Sequence, residues 1–415
     1  MSPLKLTIQT YLNKFSNTTK LIQHATNNLC RQIIVIPAYC ETEIEKTLDS
    51  LLACIPTKFT TEVIIVLNSS KEDNIEVKFF HEKQQKVLEQ KYGKEQHIIF
   101  HVILTSNLPS KHAGVGLARK IGMDEAIRRF QEIDFDGLLI CLDADCIVSK
   151  NYLVSLEEYA CKPQNYNTIC LHFEHALETE KDDLLKRGII FYELFLRYYK
   201  ECLSYSGFPY ACHTIGSSMA VKASTYCKAG GMNKRKAGED FYFLTKVFSL
   251  GKVIELNSVT VYPSARISTR VPFGTGRAQQ NFLQQKENVY TTYAFQIFED
   301  LRSFFLTNLY TIELDTINFP IAITAFLESV NFKTKLIELK NNTASLQQFQ
   351  KRFFDWFDGF MVLKFVHFAR DNYYSNNLIL EEVKALFLKK EINYKLSSEK
   401  EQLIYLRQLQ TNTYQ

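Results

Sequence analysis

Apolar residues in the first two thirds of the chain fall in short unbroken runs, each closed by a polar cluster. Ile33-Ile34-Val35-Ile36, Val63 to Leu67, Ile98 to Leu104 and Leu138 to Leu142 are such runs. Nearly continuous apolar runs of this length predict strands buried on both faces, the signature of a mostly parallel sheet. Pro37 is expected to end the first strand, because proline cannot donate to a ladder. Between the runs the spacing turns helical. From about Thr42, Ile44, Leu48, Leu51 and Leu52 share one face. A charged stretch from Lys71 to Lys94 and the segment from Gly114 to Phe130 predict two further helices. Strands alternating with helices make residues 31–285 an α/β domain. Residues 1–30, with Ile8, Tyr11, Leu12 and Phe15 loosely spaced, read as a helical lead-in. Residues 286–415, rich in aromatics and helix patterns, form a mainly helical C-terminal region.

Composition narrows the classes. The 415 residues are 46% hydrophobic and 23% charged, an ordinary globular balance that does not call for disorder. The net charge of +4 comes without a basic block or stripe, so no nucleic-acid partner is expected. Ten cysteines are scattered, and no C-x-x-C pair occurs, which argues for small buried thiols in a reducing compartment over a zinc or redox site. The start lacks the basic-then-apolar order of a signal peptide. No run approaches the ~20 apolar residues of a membrane helix. The expected location is cytoplasmic, with a peripheral contact at the inner face of the membrane left open.

In a mostly parallel sheet, ligands bind beyond the carboxyl ends of the strands. Three polar clusters lie there: Ala38-Tyr39-Cys40-Glu41, Asn68-Ser69-Ser70 and Asp143-Ala144-Asp145. Alternate residues of extended chain can face one way. Asp143 and Asp145 can therefore share Mg²⁺ or Mn²⁺, with a substrate diphosphate completing the shell. A turn capping the next helix is the plainer reading of the same pair. Glu239-Asp240 offers a general base, or simply acids favoured at a helix start. Arg266, Arg270 and Arg277, interleaved with Gly274 and Gly276, suit a diphosphate, or form a solvated basic loop. Lys111, His112, Gly114, Gly116 and Arg119 could bind phosphate at a helix start or be an ordinary loop. His213 is a candidate further metal ligand, though a lone His is more often only hydrogen-bonded.

The ordered set of motifs resembles the family-two glycosyltransferases of the GT-A fold, over about residues 31 to 282. Ile34 to Glu41 resembles the first strand and nucleotide-contacting turn of that family, Val63 to Ser70 its second strand, and Gly116 to Arg119 its glycine-to-Ala-Arg helix start. Asp143-Ala144-Asp145 resembles the metal motif, Gly216 to Val221 the acceptor-side strand, and Glu239-Asp240 the acidic pair. The resemblance implies a soluble, non-processive enzyme that moves a sugar from a nucleotide-diphosphate sugar to a saccharide, lipid-linked or small-molecule acceptor, with Mg²⁺ or Mn²⁺ as cofactor and inversion at the anomeric centre. It places Pro37, Ala38, Tyr39, Glu41 and Asn68 around the nucleoside, and Lys111, Arg119, Asp143, Ala144, Arg266 and Arg270 along the donor. Asp143 and Asp145 would hold the metal, with His213 as an added ligand, and Asp240 beside Glu239 would be the base. Asn68 departs from the Asp expected at its position. The Q-x-x-R-W motif of processive members is missing from the sequence.

Two other readings compete. A strand running into D-x-D also opens an aspartate-nucleophile phosphatase site, but there the strand is expected first in the chain and not fourth. A degenerate transferase fold kept as a sugar-binding or scaffold module is the second, and Asn68 is the feature that favours it.

Overall fold

The computed structural model describes residues 2–16, 19–95, 97–162, 166–268, 274–285, 289–313, 318–392 and 398–412. It divides into two compact units. The first comprises Met1–Ala176 and Thr214–Arg277, the second Leu177–His213 and Ala278–Thr413. The lead-in thus belongs with the α/β unit. Residues 177–213, which the sequence pattern assigned to the α/β domain, group with the helical unit.

The first unit is built on an eight-stranded sheet among the described residues. Its strands are β1 (Cys30–Ala38), β2 (Thr60–Ser70), β3 (Ile98–Leu108), β4 (Leu138–Cys141), β5 (Ile147–Val148), β6 (Thr168–Phe173), β7 (Met219–Lys222) and β8 (Val253–Tyr262). They lie in the order β3-β2-β1-β4-β7-β6-β8-β5. β3, β2, β1 and β4 run parallel, β7 is antiparallel to β4 and β6, and β6 and β8 are parallel. The mostly parallel α/β sheet of the GT-A expectation is therefore present. Ile33 to Ile36 and Val63 to Leu67 are fully buried, as strands covered on both faces must be. Gly122 lets the helix Val115–Ile133 approach this layer, because a Cβ there would press into Val35 and Val66.

Two strand ends differ from expectation. β1 continues through Pro37 to Ala38. Its ladder with β4 ends at Val35–Cys141, so Pro37 lies past the last pair on that side and its missing N–H breaks no bond there. β2 runs on through Ser70, so Asn68 is a buried strand residue facing Thr105 in register, not part of a loop.

The N-terminal helix Pro3–Phe15 is tied to the helix Val115–Ile133 by a buried polar knot. The Tyr11 hydroxyl donates to Asp124 at 2.6 Å and accepts from Lys120 Nζ at 2.8 Å, and the Tyr226 hydroxyl donates to the same Asp124 oxygen at 2.8 Å. Downstream, Glu125 accepts the backbone N–H groups of Leu21 and Ile22, and Glu132 that of Thr26. Each acid thereby satisfies a donor that burial would otherwise orphan.

The second unit is helical, as its pattern predicts, with one short ladder pairing Thr291–Thr292 and Asn377–Leu378. Phe304 sits in its core against Phe319, Phe332, Phe353 and Phe357, with ring centroids 5.4 to 5.7 Å away. The 24-residue helix Asp183–Ser206 buries Glu193, which accepts from Arg197 and Arg407. The Arg407 pair holds the helix Glu399–Asn412 against it. Among the described residues no helix is long and apolar enough to cross a membrane.

Candidate active site

The turn after β1 is held from behind by residues the sequence pattern marked only as a charged helix. Cys40 adopts φ of 47°, a left-handed conformation uncommon outside glycine. Its N–H donates to His81 Nε2 at 2.9 Å. Gln84 Nε2 donates to the Glu41 carbonyl at 2.6 Å, and the Tyr39 hydroxyl to Asp73 at 3.1 Å. Asp73 also accepts the Ser70 N–H at 2.7 Å, joining the ends of β1 and β2. His81 must be neutral at Nε2 to accept from Cys40, and burial lowers its pKa. Folding therefore excludes a proton that the unfolded chain binds below about pH 6.5. Stability is full above that pH and falls as pH drops toward the depressed folded value. We expect His81→Gln to remove part of the loss in melting temperature between roughly pH 7 and 5. Parallel melting curves of both proteins check this, and identical pH slopes would refute it.

β4 delivers Asp143, Ala144 and Asp145 to the same end of the sheet. Leu142 N–H still donates to Val35 at 3.2 Å, and the Thr47 hydroxyl fixes the Ala144 carbonyl at 2.9 Å. The side chains of Asp143 and Asp145 remain partly exposed. Arg119, from the second turn of the helix Val115–Ile133, is buried and ion-paired to both Asp143 and Glu239. Glu239 opens the helix Glu239–Phe248, and its neighbour Asp240 accepts Gly216 N–H at 2.8 Å and Phe241 N–H at 2.7 Å. One guanidinium thus connects the exit of β4 with the acid pair.

Residues 33–221 match the model of Glycosyl transferase family 2. The segment from Ile33 to Val221 is similar to family 2 glycosyltransferases, and the activity class it supports is glycosyl transfer. No curated protein matches the chain. Among solved structures, this glycosyltransferase is similar to residues 1–349 of S. aureus TarS in complex with UDP-GlcNAc, at 12% identity, over 88% of this chain and 94% of that one, with a TM-score of 0.41. It is also similar to the mannosyltransferase PcManGT from Pyrobaculum calidifontis in complex with GDP-Man and Mn²⁺, at 11% identity, over 98% and 93%, with a TM-score of 0.35. The family match ends before Glu239 and Asp240, so it is the Arg119 ion pairs that tie them to the matched segment.

The candidate site is acid-rich and partly neutralised. Arg266, in the segment after β8, donates to both oxygens of buried Glu41, one at 2.7 Å, and lies 3.0 Å from Asp145. Four carboxylates are thereby paired to two guanidinium groups, Asp143 and Glu239 to Arg119 and Glu41 and Asp145 to Arg266, and Asp240 adjoins Glu239 in sequence. Burial pushes the Glu239 and Asp240 carboxyls up from their ordinary range, against the opposing pull of Arg119. The surplus of hard oxygen donors over cations suits a magnesium or manganese ion at Asp143 and Asp145.

The other expected residues are placed as follows. Pro37 and Ala38 end β1, and Tyr39 and Glu41 follow in the turn. Lys111 is exposed ahead of the helix Val115–Ile133. His213 falls in the second unit, where its Nε2 lies 3.2 Å from Gln410 Oε1. Among the described residues no group of three or more His, Cys, Asp or Glu is arranged to hold a metal. Arg270 lies outside the described residues. His81, Gln84 and Asp73 escaped the sequence reading because nothing in a charged helical stretch marks which residues face a turn some forty positions earlier.

Proposed function

We propose that this glycosyltransferase passes a sugar from a nucleotide-diphosphate sugar to an acceptor hydroxyl by direct, inverting displacement, with a divalent metal at Asp143 and Asp145. The observation that carries the reading is the acid set at the carboxyl ends of β1 and β4: two partly exposed carboxylates, Asp143 and Asp145, beside buried Glu239 and half-buried Asp240. Pro37, Ala38, Tyr39 and Glu41 would border the nucleoside, with Asn68 behind them. Lys111 and Arg266 would face the diphosphate, and Arg270 would join them. Mg²⁺ or Mn²⁺, when bound, neutralises charge on the departing diphosphate. Asp240 takes the acceptor proton. Its carboxylate is aimed by the Gly216 and Phe241 N–H groups, and burial raises its basicity toward that of a working base. The acceptor is a saccharide, a lipid-linked sugar or a small molecule, and no nucleic acid enters the reaction.

The test is a melting-temperature panel of UDP, GDP, CDP and dTDP sugars, each with and without Mn²⁺. A ligand that binds the folded state raises its stability by mass action, by about 2.7 kcal/mol at a hundredfold excess over Kd. A metal-dependent shift with one nucleotide class, lost in Asp145→Ala, supports the reading. No shift with any of them leaves a scaffold or sugar-binding module, and an aspartyl-phosphate trapped at Asp143 marks a phosphatase.

A further inference from the structure

We propose that Arg119 is a positioning residue, locked in place by Gly216, that fixes the acid pair Glu239–Asp240 against Asp143 and does not bind the donor diphosphate. The inference rests on the proposed function and departs from the sequence expectation, which set Arg119 among the phosphate contacts.

Three observations carry it. First, the Arg119 side chain is 3% exposed. A guanidinium that meets a diphosphate must present N–H groups to the ligand. In this one both terminal nitrogens are already committed, one to Asp143 and the other to Glu239. Second, those partners come from separate elements, the exit of β4 and the start of the helix Glu239–Phe248. A single rigid fork therefore sets the spacing between them, a task that the flexible point charge of a lysine does poorly. Third, the fork has a fitted seat. A Cβ built on Gly216 would overlap the Arg119 guanidinium nitrogens. The Gly216 φ lies outside the left-handed region, so the glycine is needed for space and not for backbone conformation. The N–H of that same Gly216 orients Asp240. Guanidinium, glycine and base therefore form one mechanical unit.

The neighbouring loop reinforces the arrangement. A Cβ on Gly116 would run into the Arg235 carbonyl and lie 3.0 Å from the Asn233 carbonyl. Asn233 Nδ2 donates to the Glu239 carbonyl at 2.8 Å. The first turn of the helix that carries Arg119 is thus pressed against the segment that leads into the acid pair.

The experiment compares wild type, Arg119→Lys, Gly216→Ala and the double variant. Two quantities are read: affinity for UDP and for GDP in the presence of Mn²⁺, by calorimetry, and release of nucleoside diphosphate from the donor sugar of whichever nucleotide binds. Gly216→Ala keeps every charge and the backbone N–H, so it tests the seat even if the lysine variant folds poorly. The expected result is nucleotide affinity within about threefold of wild type in both single variants. Turnover falls about a hundredfold in each, as for a misplaced reacting group, and the double variant is no slower than Arg119→Lys alone. A tenfold or larger loss of nucleotide affinity in Arg119→Lys, with Gly216→Ala behaving as wild type, would make Arg119 a donor ligand and overturn the inference. So would wild-type turnover in Gly216→Ala. Failure of the wild-type protein to bind either nucleotide would instead bring down the proposed function, and this inference with it.

Discussion

Asp240→Asn is expected to lower turnover about 10²- to 10⁴-fold while nucleotide affinity stays within a few-fold of wild type. The side chain is nearly isosteric, so packing against the helix Glu239–Phe248 is kept. What changes is proton affinity. The carboxylate accepts two backbone N–H groups, from Gly216 and Phe241, and retains basicity because burial opposes its ionisation. An amide cannot accept the acceptor's proton at any accessible pH. It must also turn its NH₂ toward solvent or clash with one of those donors. Nucleoside diphosphate release from the donor found by the melting panel gives the rate, and calorimetry gives the affinity. Near-normal turnover with unchanged affinity would remove Asp240 from the base role and pass it to Glu239, whose carboxyl is raised by the same burial.

The second large effect is on stability. Glu62 of β2 and Arg129 of the helix Val115–Ile133 are fully buried and paired through two bonds, one at 2.9 Å. His101 of β3 lies 3.3 Å from the same carboxylate, and Arg129 also donates to the His24 carbonyl at 3.0 Å. Burial alone would raise the Glu62 pKa; the nearby His101 ring and the bonds from Arg129 overcome it and hold the pKa below the usual range. Glu62→Leu strands a guanidinium in the core and is expected to cost about 3–5 kcal/mol. Converting both partners, Glu62→Leu with Arg129→Met, should cost clearly less, because no unpaired charge remains. Urea denaturation of the three proteins checks this. A double variant weaker than the single would show that the pair contributes net stability and not only mutual neutralisation.

Much of this architecture was legible in the sequence. The apolar runs at β1, β2, β3 and β4 fix a parallel sheet because only strands covered on both faces tolerate such continuity. The acids at 143 and 145 could be placed at its carboxyl end because the run stops just before them. What the pattern does not carry is side-chain pairing across distance. A cation near a helix start looks the same in sequence whether it faces solvent or two acids, so the pairing of Arg119 with Asp143 and Glu239 is not visible there. The pairing of Arg266 with Glu41 and Asp145 is equally invisible in a run of arginines and glycines. Pro37 read as a terminator because the early end of the β4 ladder is not visible in sequence. Helix Asp183–Ser206 was missed because its membership in the other unit is decided by partners such as Arg407, over two hundred residues away.

The polar knot around Tyr11 bears on how the chain is made. Its partners follow 113 and 215 residues later, at Asp124 and Tyr226. At about 5–20 residues per second, some 10 to 40 s of synthesis separate the emergence of Tyr11 from that of Tyr226. Over that interval the helix Pro3–Phe15, too short to be stable alone in water, has no completed seat. This helix is thus made well before the last partner of its polar knot.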